Sequence, residues 1–306
     1  MKRLLVGLAV VAVVGAGCSS GGSDGSGGSS AKATTTSGAA TTTSEPAPAD
    51  DQTPPSTING IAVQGDTIWV ASIEDDEILQ IDRADGTILQ RFDTRGAGPD
   101  DIAIAPDGSI WSAGFVNGDV GHIVDGRYSV ATRMEAGINP IEFAPDGTLY
   151  IGTLGPDGVL SAIDTTADPV AAVAIGSGLP DINAFGIVAD GTIVAPSGGL
   201  TGPSAAVAID PDTAKVTTIA GGLPPVAAGT TDAQGRAYVL ANITGQVIAV
   251  DLAHKTSKVV RTVKHGAPFD NLSFADDGTL YVSSFVAPTI TEVATDGAEH
   301  LITVGG

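Results

Sequence analysis

The sequence APDGSIW at residues 105–111 recurs, with substitutions, along most of the chain. Its relatives are GDTIW at 65–69, APDGTLY at 144–150, ADGTIV at 189–194, AQGRAY at 233–238 and DDGTLY at 276–281. In the five fuller copies the residue before glycine is at position 107, 146, 190, 234 or 277, which gives spacings of 39 to 44 residues. A period near 40 residues is typical of repeated supersecondary units that stack on their neighbours.

Each copy predicts a β-hairpin. Asp-Gly is a strong hairpin signal because glycine readily adopts a positive φ, and apolar runs such as 102–104 and 109–111 flank it here. A second turn signal follows in most units, as in ADG at 84–86 and TDG at 295–297. Two turns in each unit indicate four strands, which in the first unit are expected near 60–63, 67–71, 77–82 and 87–92.

The repeat as a whole predicts an all-β fold, a six-bladed β-propeller of four-stranded antiparallel blades over residues 56–306. The first strand of each blade is expected to be innermost, beside the central channel. The lack of a 3.6-residue apolar period argues against a helical solenoid. A β-sandwich is the remaining structural alternative. Residues 52–57 are the segment most suited to help close the ring.

Residues 1–17 have the layout of a secretory signal peptide, with a basic start, an apolar run at 4–14 and then small residues. The only cysteine of the chain, Cys18, follows directly. The sequence GAGC at 15–18 resembles a bacterial lipobox, with Gly15 where Leu or Val is usual. The resemblance implies a lipidated Cys18 that anchors the protein to the bacterial cell membrane on its extracytoplasmic side. The alternative is an ordinary cleaved signal with a chance cysteine.

The stretch from 18 to 55 is rich in Gly, Ser, Thr and Pro. Such a composition cannot bury a core, so we expect a disordered tether between the lipidated cysteine and the propeller. With no cysteine beyond Cys18, the propeller is expected to contain no disulfide.

The chain is strongly acidic, with 14 Lys and Arg against 35 Asp and Glu and a formal net charge of −21. Phosphate backbones repel such a protein, which argues against a nucleic-acid partner. The acidity indicates either a soluble surface or an attraction for cations, calcium included.

One position in each unit, just before the inner strand, is polar in five of the six units. The six residues are Asn59, Asp100, Asn139, Asn183, Ala227 and Asp270. Such a column would form a ring around the channel mouth, and calcium takes oxygen ligands of these types. Asn59, Asp100 and Asp270 come from consecutive blades of a closed ring, so they are the candidate metal ligands. The alternative is structural, because Asn and Asp favour the point where a loop becomes a strand.

Three stretches, NGIAV at 59–63, PDDIAIAPDG at 99–108 and DGTLYV at 277–282, resemble the SMP-30/gluconolactonase and NHL-type six-bladed propellers. The resemblance implies a divalent metal held in this column by a Glu of the first blade, an Asn of the fourth and an Asp of the fifth. It also implies an Asn of the third blade that contacts substrate. Asn139 and Asn183 match this pattern and are candidate ligand-binding residues, whereas Asn59 and Ala227 replace both expected carboxylates.

The leading functional hypothesis is therefore a membrane-anchored extracytoplasmic propeller that binds a small molecule, a glycan or a protein segment at its channel mouth. The alternative is a divalent-metal-dependent hydrolase of a lactone or ester. In that case His265, in the connection that leads to the sixth blade, and Glu142, within an inner strand, are candidate catalytic groups. A lyase resembling virginiamycin B lyase ranks third, since it would need a further blade and a catalytic His in the mouth.

Overall fold

The computed structural model describes residues 50–199 and 202–306, which fold into six antiparallel sheets of four strands each. In every sheet the four strands follow one another in chain order from one edge to the other. The prediction of an all-β, six-bladed propeller is thus confirmed. The predicted signal peptide at 1–17 and most of the predicted tether lie outside the described residues. No helix in the described ranges is long and apolar enough to cross a membrane.

The first three blades contain strands β1 (Ile61–Gln64), β2 (Thr67–Ser72), β3 (Glu77–Asp82), β4 (Ile88–Asp93), β5 (Pro99–Ile104), β6 (Ile110–Gly114), β7 (Asp119–Val124), β8 (Arg127–Arg133), β9 (Ile138–Phe143), β10 (Leu149–Thr153), β11 (Gly158–Ile163) and β12 (Ala172–Leu179). The last three contain β13 (Gly186–Ile187), β14 (Ile193–Ser197), β15 (Ser204–Ile209), β16 (Val216–Leu223), β17 (Val226–Thr231), β18 (Ala237–Ala241), β19 (Gln246–Asp251), β20 (Thr256–Thr262), β21 (Phe269–Phe274), β22 (Leu280–Ser284), β23 (Thr289–Val293) and β24 (Glu299–Thr303). The inner strands are β1, β5, β9, β13, β17 and β21.

The recurring Asp-Gly phrase turns each inner strand into the second strand of its blade. At the tip of the second blade, Gly108 has a φ of 86°, which a residue with a side chain rarely adopts. Asp107 Oδ1 accepts hydrogen bonds from the backbone N–H of Ser109 at 2.9 Å and from its hydroxyl at 2.7 Å. Asp146 and Thr148 repeat the backbone bond in the third blade, also at 2.9 Å. The aspartate of the phrase is therefore structural.

The apolar core lies between adjacent blades rather than inside one globule. One cluster joins Ile68 and Leu79 of the first blade to Tyr281 and Ile290 of the sixth, and all four are fully buried. The same packing between the first and last blades closes the ring, because it buries apolar area that would otherwise face water.

Residues 50–57 form a non-strand segment, here called the latch, that is fastened to the first blade. The Gln52 side chain bonds to both backbone groups of Ile88, with Nε2 donating at 2.9 Å and Oε1 accepting at 2.8 Å. Arg91, one tenth exposed, pairs with Glu77 at 2.7 Å and donates to the carbonyl oxygens of Asp51 and Thr53. The chain that precedes the first blade is thus fastened to its outer strand, β4.

Candidate binding cavity in the central channel

The predicted polar column coincides with β-bulges in the inner strands. In β5 the register shifts between Pro99 and Asp101, so that Asp100 is the extra residue. Equivalent shifts contain Asn139 in β9, Ala227 in β17 and Asp270 in β21. A bulge interrupts the usual alternation of the side chains, so two consecutive side chains can both lie on the channel side of a strand.

Amide–carboxyl pairs link the inner strands of different blades at this level. Asn59 Nδ2 donates to Asp270 Oδ2 at 3.2 Å, and Asn139 Nδ2 donates to Asp100 Oδ2. A third pair lies one residue further along the strands, where the Nδ2 of Asn271 donates to the Oδ1 of Asp101 at 2.7 Å. We call these six residues the polar floor. All of them are buried, with no more than 9% of any residue exposed.

Glycine lets the blades approach closely at the floor. A β-carbon on Gly60 would lie 2.7 Å from the carbonyl oxygen of Asp100 and 2.8 Å from the α-carbon of Asp101. Such distances are shorter than real β-carbon contacts, so only glycine allows this approach of β5 to the first blade. The close approach explains why the polar column is buried and not open at a mouth.

The structure separates the other two column positions from these pairs. Asn183 is half-buried, and its Oδ1 accepts a local hydrogen bond from the Ala184 N–H at 3.0 Å. Ala227 is fully buried. Of the predicted metal ligands, the structure therefore pairs Asn59 with Asp270, and it pairs Asp100 with Asn139, which was predicted to bind ligand.

A cavity of about 260 Å³ begins at Asp101 and Asn271 of the floor. It extends along the inner strands as far as Asp232 and Asp276, which lie in the turns that join the first and second strands of their blades. The cavity therefore faces the Asp-Gly turns, on the opposite side of the floor from the mouth that the sequence analysis expected.

Polar and aromatic side chains share the walls of this cavity. The polar groups include Glu142, Thr230 and Ser273, and the aromatic ones are Phe143, Phe185 and Phe274. The polar wall residues lie three positions after the column, and Asp101 and Asn271 lie one position after it. These polar residues are recognisable in the sequence because they interrupt apolar strands, which is the signal that identified Glu142.

Burial dominates the electrostatics of the floor and the wall. It raises the pKa of Asp101 and of Asp270 to about 7, and it raises the pKa of Glu142 to about 8. Burial also raises the pKa of Asp100 well above its usual value, and the charges of Asp270 and Asp101 add to this effect. Within the described residues none of these four carboxyls forms an ion pair. Asp101, Asp270 and Glu142 therefore titrate near neutral pH, well above ordinary carboxyls.

Of the two candidate catalytic groups, only Glu142 lies at the cavity. Its Oε1 accepts a hydrogen bond from the Phe143 N–H at 2.9 Å. The His265 side chain is 66% exposed and contacts Glu299 Oε2 through Nδ1 at 2.9 Å, and it does not line the cavity. His265 therefore lies on the surface of the sixth blade, beside a carboxylate of β24, and away from the cavity.

The positions that the family resemblance assigns to metal ligands do not fit a metal here. Asn59 already donates to Asp270, Asn183 bonds locally and Ala227 has no donor atom. In the described part of the chain no three His, Cys, Asp or Glu side chains converge at metal-binding distance. The buried Oδ1 of Asn139 accepts no hydrogen bond from the described residues.

Comparison with known proteins gives structural matches only. No family model and no curated protein matches the sequence. Virginiamycin B lyase from Staphylococcus aureus is 14% identical with a TM-score of 0.59, over 83% of this chain and 85% of that one. Regucalcin from Agrobacterium tumefaciens, a calcium-binding protein, is 18% identical with a TM-score of 0.56, over 76% and 83%.

A putative gluconolactonase is 11% identical to this chain with a TM-score of 0.60, over 81% of this chain and 91% of the other. Identities this low establish a common fold and no more. The chain is a six-bladed β-propeller whose structural neighbours include gluconolactonase-like and regucalcin-like proteins.

Proposed function

We propose that the chain binds a small molecule in the central channel, through the cavity that faces the Asp-Gly turns. The observation that carries this proposal is a cavity of about 260 Å³ with polar and aromatic walls, closed at its inner end by the polar floor. Pockets for drug-sized ligands have volumes of about 300–1,000 Å³, so the size favours a compact molecule over a glycan chain or a protein segment.

A filled cavity tests the proposal. Thr230 lies on β17 and lines the wall, so Thr230→Phe places a ring in the space that the ligand would occupy. We expect small molecules that raise the melting temperature of the wild type to lose this effect in the variant. Thr244→Phe is the control, because Thr244 is exposed in the turn between β18 and β19 on the other face. Equal responses in both variants would count against the cavity.

We further propose that the propeller works outside the cytoplasm and is carried there by a lipidated Cys18. The support is the sequence of residues 1–18, which lie outside the described residues. Cys18→Ser should release the protein from the membrane fraction, because the acyl chains provide the anchoring. Membrane retention of the serine variant would contradict the lipid anchor.

A divalent-metal-dependent hydrolase of a lactone or ester is the second candidate function. It is favoured by the carboxyls of Asp100 and Asp270, which have no cationic partner among the described residues, and by the Oδ1 of Asn139, which accepts no hydrogen bond from them. The fold similarity to a putative gluconolactonase and to regucalcin is compatible with this alternative.

Calcium titration distinguishes the two functions. If calcium bound with a Kd of ~0.1 mM, ~10 mM calcium would stabilise the protein by about 2.7 kcal/mol. Asp100→Ala combined with Asp270→Ala should abolish that gain. A melting temperature that does not change with calcium, magnesium, manganese or zinc would exclude the metal site, and hydrolysis of a lactone panel would decide whether a bound metal supports catalysis.

A further inference from the structure

The ionisable side chains among the described lining residues of the cavity are all acidic. Four acidic side chains line it, namely Asp101, Glu142, Asp232 and Asp276, and no Lys, Arg or His is among its described lining residues. Only Asp232 is neutralised by an ion pair, with Arg236 at 2.5 Å. The floor residues Asp100 and Asp270, next in sequence to Asp101 and Asn271, add two more carboxyls. As these carboxyls ionise above neutral pH, the cavity presents an increasingly negative potential to whatever enters it.

One carboxylate oxygen at the cavity is an unused hydrogen-bond acceptor. The Oε1 of Glu142 accepts one bond from the backbone, and no hydrogen bond reaches its Oε2 from the described residues. Such an acceptor favours a ligand that brings a donor or a positive charge.

Three aromatic residues, Phe143, Phe185 and Phe274, also line the cavity, and their rings pack in the apolar clusters between blades. Phe143 meets Trp111 edge-on, and Phe274 contacts Tyr238. The acidic lining residues therefore decide the class of ligand, and they favour a cation. A bare metal ion would instead need six to eight oxygen ligands for calcium, and no three carboxylate or imidazole groups in the described ranges converge for that purpose.

We infer that the ligand of this cavity is a small organic ammonium ion that pairs with the carboxylate of Glu142. The inference rests on the proposed function, since it names the chemical class of the small molecule. Asp101 is less available as a partner, because its two oxygens already accept hydrogen bonds from Asn271, Ile102 and Ile141.

Binding of the cation should be coupled to proton release. Burial raises the pKa of Glu142 to about 8, so its carboxyl is mostly protonated at neutral pH and ionises as the pH rises. The ammonium ion interacts with the ionised form. Its affinity should therefore increase with pH, by up to tenfold per pH unit below a pKa of about 8.

Choline and its neutral carbon analogue 3,3-dimethylbutan-1-ol provide a matched pair of probes, because they share their shape and differ in charge. Titration calorimetry at about pH 6 and at about pH 9, on either side of the pKa of Glu142, measures both affinities. We expect choline to bind more tightly than the alcohol at the higher pH, by about tenfold or more, and to lose most of that advantage at the lower pH.

Glu142→Gln should remove the preference for choline and its pH dependence, because it replaces the carboxyl by a neutral group of the same size. Glu74→Gln is the control, since it makes the same charge change at an exposed residue between β2 and β3. A wild type that binds the alcohol or anionic molecules as tightly as choline would overturn the ammonium inference and leave the proposed function standing. The inference would also fall if Glu142→Gln kept its choline affinity. If molecules of no charge class bind to the wild type, the proposed function itself fails.

Discussion

At the scale of single residues, the channel depends on a few positions that the repeat does not predict. Gly60 lies where β5 meets the first blade, and Asp101 and Asn271 join the second and sixth blades across the axis. These residues set the distance between the blades at the floor and so determine where the cavity begins.

Gly60→Ala tests this close approach. The added methyl group would meet the backbone of Asp100 and Asp101 at 2.7–2.8 Å, so we expect a loss of about 1–3 kcal/mol in the free energy of unfolding. Gly221→Ala is a matched control, because a β-carbon there has no atom within 4 Å. Denaturant unfolding of both variants measures the difference. A Gly60→Ala protein as stable as the control would show that the blades are not held this closely.

The buried carboxyls predict an unusual dependence of stability on pH. Because burial raises the pKa of Asp270 to about 7 and that of Glu142 to about 8, the folded protein binds more protons than the unfolded chain between about pH 4 and these values. The free energy of unfolding should therefore be highest in the acidic part of this window and should decrease as the pH rises through it. Near the melting temperature, each 1 kcal/mol corresponds to about 2–4 °C for a domain of this size.

Asp270→Asn should flatten this pH profile, since the amide cannot ionise and can still accept the hydrogen bond from Asn59. Asp66→Asn, at an exposed turn position, should leave the slope unchanged. Calorimetric melting across the window measures all three proteins. A wild-type melting temperature that rises from acid to neutral pH would show that the floor carboxyls are ionised in the folded protein and stabilised there by their hydrogen bonds.

At the scale of elements, features formed by residues close together in the sequence could be predicted, whereas features formed by contacts between blades could not. Asp107 and Gly108 determine their hairpin through neighbouring residues, so the recurring turns could be predicted, and the four strands of the first blade were predicted within one residue. The bulges could not, because Asp100 and Asn139 are brought together by two different blades. The column was therefore recognised as polar, while its burial depends on packing that no single unit contains.

The latch of residues 50–57 is another element held by contacts distant in sequence. Gln52→Ala removes both of its bonds to Ile88 and should reduce the free energy of unfolding by about 1–3 kcal/mol. Gln234→Ala, at an exposed turn residue, should change it by no more than about 0.5 kcal/mol. Chemical denaturation compares the two. Equal stabilities would mean that the bonds of Gln52 to Ile88 do not stabilise the first blade.

At the scale of the whole molecule, six blades produce one channel with two different ends. Amide–carboxyl pairs fill the end where the inner strands begin, and the turn residues Asp232 and Asp276 border the other end. The repeat supplies the scaffold, whereas the site depends on positions where the blades differ, such as Glu142 and Phe185. That difference between the units is why a regular fold can contain a cavity whose lining differs from blade to blade.

A crystallographic fragment screen is the most direct test of the central claim that the channel is a ligand site. Wild-type crystals near pH 8.5, above the pKa of about 8 at Glu142, would be soaked with fragments of positive, neutral and negative charge. We predict electron density in the channel beside the carboxylate of Glu142, with the cationic fragments most frequent. Fragments bound only on the outer surface, with the channel empty in every soak, would show that the channel is not a ligand site.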